Sequence, residues 1–281
     1  MSAIKKIVIQ IRNILISPIN NLQASSNVKI AIASANLKLY LKGMKLRVGY
    51  NKKYKLFSIT DRNKKHYFGS LLRGLKMYSN GLDIRAKKLF DSYLLNNIKF
   101  EHDDFVVDCG ANYADLWLSL EGKIKPTSYI TFEPGIVEHK CVQLNAPNGT
   151  HNCLGLDNKV SEVTFYVNER FGDSSLVEPP EYTHTIDVNT TTLESYITTN
   201  NIHKIKLFKL EAEGYEPEIL DGAKSILGRI DYIAIDGGYE RGLNEDETFT
   251  ELNNTLLDSG FELIARHKVK EFRALYKNKV I

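Results

Sequence analysis

The chain has 281 residues, 43% of them hydrophobic and 25% charged, with a formal net charge of +3. That composition suits one large soluble globular domain, or a domain with an extension. It argues against broad nucleic-acid binding, for which a basic stripe is expected. Cys109, Cys141 and Cys153 are scattered with no C-x-x-C spacing. Neither a zinc site nor a disulfide framework is expected, and a reducing cytoplasm is the expected location. No apolar run is long enough to span a bilayer.

Residues 1–65 read as an N-terminal extension. Ile4, Ile7, Val8, Ile11, Leu15 and Ile19 recur at helical spacing, with Lys5, Lys6 and Arg12 among them, and Pro18 would end that helix. Gln10, Arg12 and Asn13 interrupt the apolar core, which disfavours a signal peptide. Two readings stand for residues 2–17. The helix lies on the inner membrane surface as a basic amphipathic element, or it buries its stripe against the domain or a second copy. Val28 to Leu41 reads as a second helix, and Lys45 to Ile59 as a hairpin turning near Asn51-Lys52-Lys53. Lys52, Lys53, Lys55, Arg62, Lys64 and Lys65 make this region basic, as a solvated face would be.

Residues 66–281 read as the main domain. Ile84 to Asn97 has helical spacing and precedes the first core strand. Tyr78 and Arg85, with His66, Tyr67 and Arg73, are candidates for a lid or an acceptor wall. Strand 105–108, helix 113–121, strand 128–132, helix 135–145 and strand 151–155 then give a parallel βαβαβ half. Added strands are expected at 162–168 and around Ile186, and a helix at 192–199. Core strands follow at 205–210 and 232–235, with helices at 216–227 and 245–259. Residues 261–265 and 272–276 close the chain as a hairpin. The fold class is α/β: a seven-stranded, mostly parallel, Rossmann-like sheet with helices on both faces.

Chemistry gathers at the strand ends. Phe105-Val106-Val107 runs into Asp108 and Gly110, and Gly110 has no Cβ to block a ligand's approach to the backbone. The fingerprint G-x-G-x-x-G is absent, so the turn is a poor pyrophosphate cradle. Glu133 ends the next strand, where such folds hold ribose hydroxyls. Asp157 and Asn158 end the third. A nucleoside without a pyrophosphate is implied, and S-adenosylmethionine fits.

The ordered set Asp108-Cys109-Gly110-Ala111-Asn112, Phe132-Glu133-Pro134, Leu156-Asp157-Asn158 and Lys209-Leu210-Glu211-Ala212-Glu213-Gly214 resembles the FkbM family of methyltransferases. The resemblance covers roughly residues 70–280. It implies the class I methyltransferase fold, S-adenosylmethionine as cofactor, and a cofactor site at Asp108, Gly110, Asn112, Glu133, Asp157 and Asn158. It also implies a hydroxyl acceptor on a sugar, in a surface glycan or a secondary metabolite. Two positions depart from the family pattern. Ala114 replaces a glycine, and Glu211 replaces an aspartate in Lys-x-Asp-x-Glu-Gly.

A neutral hydroxyl needs a general base within reach. Glu211, Glu213 and Asp236 are the candidates, with Glu240 near them. Read as an extended segment, Glu211 and Glu213 share one side. Crowded carboxylates raise one pKa, which would make a usable base. They could equally collect a divalent cation, so the metal question stays open. Lys209 and Arg241 are expected near the acceptor. His184, His203 and His267 lack ligand spacing. A nitrogen or carboxylate acceptor, or an inactive cofactor-binding scaffold, are the alternatives.

Overall fold

The computed structural model describes residues 28–169, 172–269 and 272–279. The helix expected over residues 2–17 lies outside them. The chain forms two compact units, divided after Arg85.

In the first unit, helix α1 (Val28–Leu41) precedes a three-stranded antiparallel meander, β1 (Leu46–Asn51), β2 (Leu56–Asp61) and β3 (Lys64–Phe68). The expected turn is present: the Asn51 side chain accepts from the amides of Lys53 and Tyr54. The third strand was not expected, because Lys64 and Lys65 hide its alternation. Asn36 of α1 accepts from the Val48 amide at 2.7 Å and donates to the Val48 carbonyl at 3.0 Å. That side chain mimics a neighbouring strand on the edge strand β1. Helix α2 (Leu71–Tyr78) is capped by Ser70 and packs so closely on Phe68 that a Cβ on Gly74 would lie 2.2 Å from that ring. Tyr78 and His66 are fully buried and packed edge to face. Helix α3 (Leu82–Ser92) crosses the division between the units. It stops five residues before the expected Asn97, because Leu94 turns left-handed at φ 62°.

In the second unit, β4 (Val106–Cys109) and β5 (Tyr129–Phe132) lie where expected. The helix expected at 113–121 is only α4 (Trp117–Leu120). Asn112 and Ala114 stand at φ 51° and 58°, which no helix tolerates. Helix α5 (Ile136–Asn145) follows. The strand expected at 151–155 is two strands, β6 (Thr150–Asn152) and β7 (Gly155–Leu156), and they join different sheets. β8 (Ser161–Val167) and β9 (His184–Thr191) pair antiparallel, and β7 joins β9. After α6 (Leu193–Thr199) comes β10 (Ile205–Leu210). Helix α7 (Glu216–Asp221) ends early and gives way to a 3-10 turn over Lys224–Arg229. At Gly222 a Cβ would meet the Asp157 carbonyl at 2.2 Å.

β11 (Ile230–Asp236) leads into a small ladder, β12 (Tyr239–Arg241) with β13 (Asp246–Glu247). The β13 residues are expected to open the helix over 245–259, but Glu245 has φ 53° and α8 (Phe249–Asp258) starts later. β14 (Phe261–Arg266) and β15 (Arg273–Asn278) form the closing hairpin. The main sheet has seven strands in the order β14-β15-β11-β10-β4-β5-β6. All its pairings are parallel except those of β15, which sits between β14 and β11.

Period-two alternation divides the core. Val107, Phe208, Ile233, Ile235 and Tyr276 face one buried cluster. Val106, Leu207, Ala234 and Leu275 face the other, with Trp117 and Tyr129. The central strands β4, β10 and β11 and the inserted β15 therefore bury both faces, while the edge strand β14 is largely exposed and the edge strand β6 partly so. Burying a large side chain of this kind stabilises by about 1.5–3 kcal/mol.

Candidate active site

The second face carries a row of charges just beyond its apolar row. Asp108 lies two residues after Val106, Lys209 two after Leu207, Asp236 two after Ala234, and Arg273 two before Leu275. In a strand, side chains two apart share a face. Register puts Asp108 opposite Lys209, and Asp236 opposite Arg273.

The row is closed by ion pairs. Lys209 Nζ lies 3.2 Å from Asp108 Oδ1 and 3.0 Å from Glu211 Oε2. It also donates to the carbonyls of Cys109 and Gly110 at 2.8 and 2.9 Å. Arg273 donates to Asp236 Oδ2 at 2.5 Å, Glu211 Oε1 at 3.0 Å and Ser92 Oγ at 2.7 Å. Asp108–Lys209–Glu211–Arg273–Asp236 thus alternate in sign across the strand ends. The buried Tyr93 ring supports both cations, 5.7 Å from Lys209 Nζ and 4.3 Å from the Arg273 guanidinium.

This pairing sets the titrations. Burial opposes charge on Glu211, but Lys209 and Arg273 outweigh it and hold the carboxyl far below its usual range. Lys209 is disfavoured by burial, yet Asp108 and Glu211 keep it charged beyond the ordinary lysine range. Burial pushes Asp108 up against the pull of Lys209 and of Tyr129, whose hydroxyl donates to it at 2.5 Å.

Two other acids have no ion-pair partner among the described residues. Beyond Leu210 the chain turns, with Glu213 at φ 50° and Gly214 at φ 94°, so Glu211 and Glu213 do not share one extended segment as expected. Gly214 packs on the next strand's exit: a Cβ there would lie 2.5 Å from Arg241 Cα and 2.8 Å from the Glu240 carbonyl. Glu213 and Glu240 come together through that contact. Burial first, then the Glu240 charge, raises Glu213 well above its ordinary value. Burial, then Asp236 and Glu211, pushes Glu240 up to about 8. Glu240 Oε2 is buried with no hydrogen-bond partner among the described residues. A Cβ on Gly238 would stand 3.6 Å from Glu240 Oε1 and 3.9 Å from Asp236 Oδ1, so these two carboxyls approach the same point.

At the β4 and β5 ends, Gly110 has φ 69°, and a Cβ on it would lie 2.1 Å from the Glu211 carbonyl. Its missing side chain lets two loops meet, which the sequence reading had credited to ligand approach. Glu133 accepts from the amides of Asn112 at 2.8 Å and Gly135 at 2.9 Å, and burial raises it to about 7. Each oxygen keeps a further lone pair. Asn112 Oδ1 is buried without a partner. Asp157 is fully buried and accepts from Tyr215 at 2.9 Å and from the Asn158 amide at 2.6 Å. It follows β7 in the smaller sheet, while Asn158 donates to Asp221 at 3.3 Å on the surface. Acceptors at Glu133 and the orphan amide oxygen of Asn112 suit the hydroxyls and amine of a nucleoside.

The remaining expected residues are placed as follows. Arg241 forks onto Glu218 at 2.6 and 2.9 Å and donates to the Gly214 carbonyl at 2.6 Å, so it clamps the Gly214 turn. Tyr78 is core of the first unit, and Arg85 stands on α3. Arg273 was missed, although a lone arginine in Phe272–Tyr276 was a signal that strand apolarity had to be interrupted for a reason. Glu216 was missed too. It accepts from the Ala212 and Gly214 amides and from Thr248, and burial raises it to about 7. Among the described residues no group of three or more His, Cys, Asp or Glu is arranged to hold a metal.

The main sheet, parallel but for the pairings of β15 and with acids at adjacent strand ends, has the topology of the class I S-adenosylmethionine-dependent methyltransferases. Residues 108–263, more than half of the chain, match the family described as Methyltransferase FkbM domain. The chain belongs to the FkbM methyltransferase family. Among solved structures, it is similar to methyltransferase FkbM from Methylobacillus flagellatus KT, at 18% identity and TM-score 0.44, over 65% of this chain and 45% of that one. The chain thus spans less than half of that protein. A SAM-dependent methyltransferase from Aquifex aeolicus matches at 13% identity and TM-score 0.39, over 73% and 91% of the two chains. Aeropyrum pernix fibrillarin in complex with S-adenosyl-L-methionine matches at 12% identity and TM-score 0.40, over 82% and 96%. No curated protein matches the chain.

Proposed function

We propose that the protein is an O-methyltransferase that acts on a hydroxyl of a sugar, in a surface glycan or a secondary metabolite, in the cytoplasm. The single observation that carries the hydroxyl acceptor is the buried, unpartnered Oε2 of Glu240 beside Glu213. A hydroxyl oxygen must lose its proton as it becomes an ether, and a carboxylate with a raised pKa is a base suited to neutral pH. Glu211 and Asp236 are tied to Lys209 and Arg273, and in this reading they position rather than accept protons. The free cysteines fit a reducing compartment.

S-adenosylmethionine, when bound, supplies a methyl group on a sulfonium. Glu133 and Asn112 would hold its nucleoside, Gly110 lines the same turn, and Asp108 with Lys209 fixes the loop between them. Asp157 and Asn158 would flank the base. No step needs a metal in this account, and a cation-assisted route remains a second outcome of the test.

The test is calorimetry with S-adenosylmethionine, then methyl release from it against a panel of free sugars and matched amino sugars. Glu133→Ala weakens cofactor binding by about 1.5–3 kcal/mol, the worth of hydrogen bonds to a charged group. Glu240→Gln leaves that affinity in place and lowers turnover about 10²-fold. Methyl transfer to nitrogen alone, indifferent to Glu240→Gln, would overturn the hydroxyl reading. Loss of activity on adding a chelator would point to the cation.

A further inference from the structure

The net charge of +3 conceals a division. Residues 1–85 carry 17 Lys and Arg against Asp61 and Asp83 alone, and no acidic residue precedes Asp61. Residues 86–281 carry 20 basic against 32 acidic residues. The first unit is therefore strongly cationic and the second is anionic. Methyl transfer explains neither the size nor the position of that cationic excess.

Helix α1 adds an apolar face to it. Ala31, Ala35 and Leu39 are buried, and Asn36 ties the helix to β1. At 100° per residue, Ile30, Ala33, Leu37, Tyr40 and Leu41 fall on the opposite side. Ile30 is 54% exposed, Leu37 40%, Tyr40 77% and Leu41 66%. A contiguous apolar stripe in water marks an interaction surface. Lys29, Lys42, Lys45 and Arg47 are exposed on the helix and just after it, and Lys52, Lys53 and Lys55 are exposed at the hairpin turn. The segment leading into Val28 has the same character, with Ile4, Ile7, Val8 and Ile11 beside Lys5, Lys6 and Arg12 and no acid.

We propose that the first unit docks the protein on an anionic lipid surface, with the outer face of α1 entering the headgroup boundary and the surrounding lysines and arginines on the lipid charges. An apolar stripe alone would fit a second copy, and a basic face alone would fit nucleic acid. The two together, without acids, match an interfacial lipid-binding element. Among the described residues no helix is long and apolar enough to cross a membrane, so the contact is with the surface. This inference is independent of the methyl acceptor.

Flotation of the full chain tests it, using vesicles of phosphatidylcholine alone and of phosphatidylcholine mixed with phosphatidylglycerol. The protein floats with the mixed vesicles only, and raising salt releases it. Lys52→Gln and Lys53→Gln each lower the partition about fivefold, the effect of one basic residue near a charged surface. Lys159→Gln, exposed on the second unit, has no effect. Leu37→Glu with Tyr40→Glu abolishes flotation while the circular dichroism and melting profile stay unchanged, since both side chains are exposed. Failure to float with anionic vesicles at low salt overturns the proposal. So does undiminished flotation of the Leu37→Glu, Tyr40→Glu variant. A dimer by sedimentation that this variant dissolves, without flotation, makes the face a subunit interface instead. Binding to duplex DNA that the variant leaves unchanged, again without flotation, makes it a nucleic-acid surface.

Discussion

Two sets of acids meet at the same edge of the sheet and behave in opposite ways. Asp108, Glu211 and Asp236 share the face of the strands with Lys209 and Arg273, and alternate with them in sign. Glu213 lies on the turn after β10 and Glu240 on the short strand β12, and neither is ion-paired among the described residues. Within the first set Lys209 and Arg273 hold Glu211 as a charge, while burial pushes Asp108 up against the pull of Lys209. The second is forced toward protonation by burial and by the charges of the first. A shift of two residues, from Glu211 between Lys209 and Arg273 to Glu213 on the turn beyond them, separates a scaffold carboxylate from a candidate base.

Removing the cation should break this contrast most strongly. Arg273→Leu takes the guanidinium away from Asp236 and one of two cations away from Glu211, which keeps Lys209, and destabilises by about 3–5 kcal/mol, the range for breaking a buried pair. Urea unfolding measures it. A loss below about 1 kcal/mol would mean the row is solvated and the contrast is false.

The second test is pH. Glu133 and Glu216 at about 7, and Glu240 at about 8, bind their protons more tightly folded than unfolded. Their contribution to stability is complete below the unfolded value of about 4.3 and is lost as pH rises through 7 to 8. Glu240→Gln removes its share, and stability then falls less steeply between pH 5 and 8, by at most about 1.4 kcal/mol per unit. Denaturation midpoints across that window give the slope. An unchanged slope would show that Glu240 titrates alike in both states.

The smallest effect sharpens the comparison from the other side. Glu213→Gln replaces a carboxyl that burial holds toward its neutral form with a neutral side chain of similar size, so stability moves by less than about 1 kcal/mol. The Glu240 carboxyl, followed by carbon-13 resonance, keeps its midpoint of about 8, which burial, Asp236 and Glu211 set. A midpoint that falls would show that Glu213 carries charge beside Glu240.

Much of the fold was legible because its strands are short apolar runs closed by polar residues. Phe105–Asp108, Tyr129–Glu133 and Ile205–Leu210 stand as strands almost to the residue. Helix boundaries were less legible, since left-handed backbone decides them. Ala114 shows why: at φ 58° it occupies a conformation that favours glycine, the residue the family has there. Its backbone angle is what shortens the expected helix to Trp117–Leu120.

The sequence by itself determined which residues end the strands, and with them Asp108, Glu133 and the Lys209–Gly214 run that mark the family. Those are local facts, written in periodicity and spacing. The tertiary structure decided which acids are neutralised. Arg273 reaches Glu211 across 62 residues of chain and Ser92 across 181. No local pattern encodes that reach, because it depends on β15 inserting antiparallel between β14 and β11 and turning one arginine toward the row of charges.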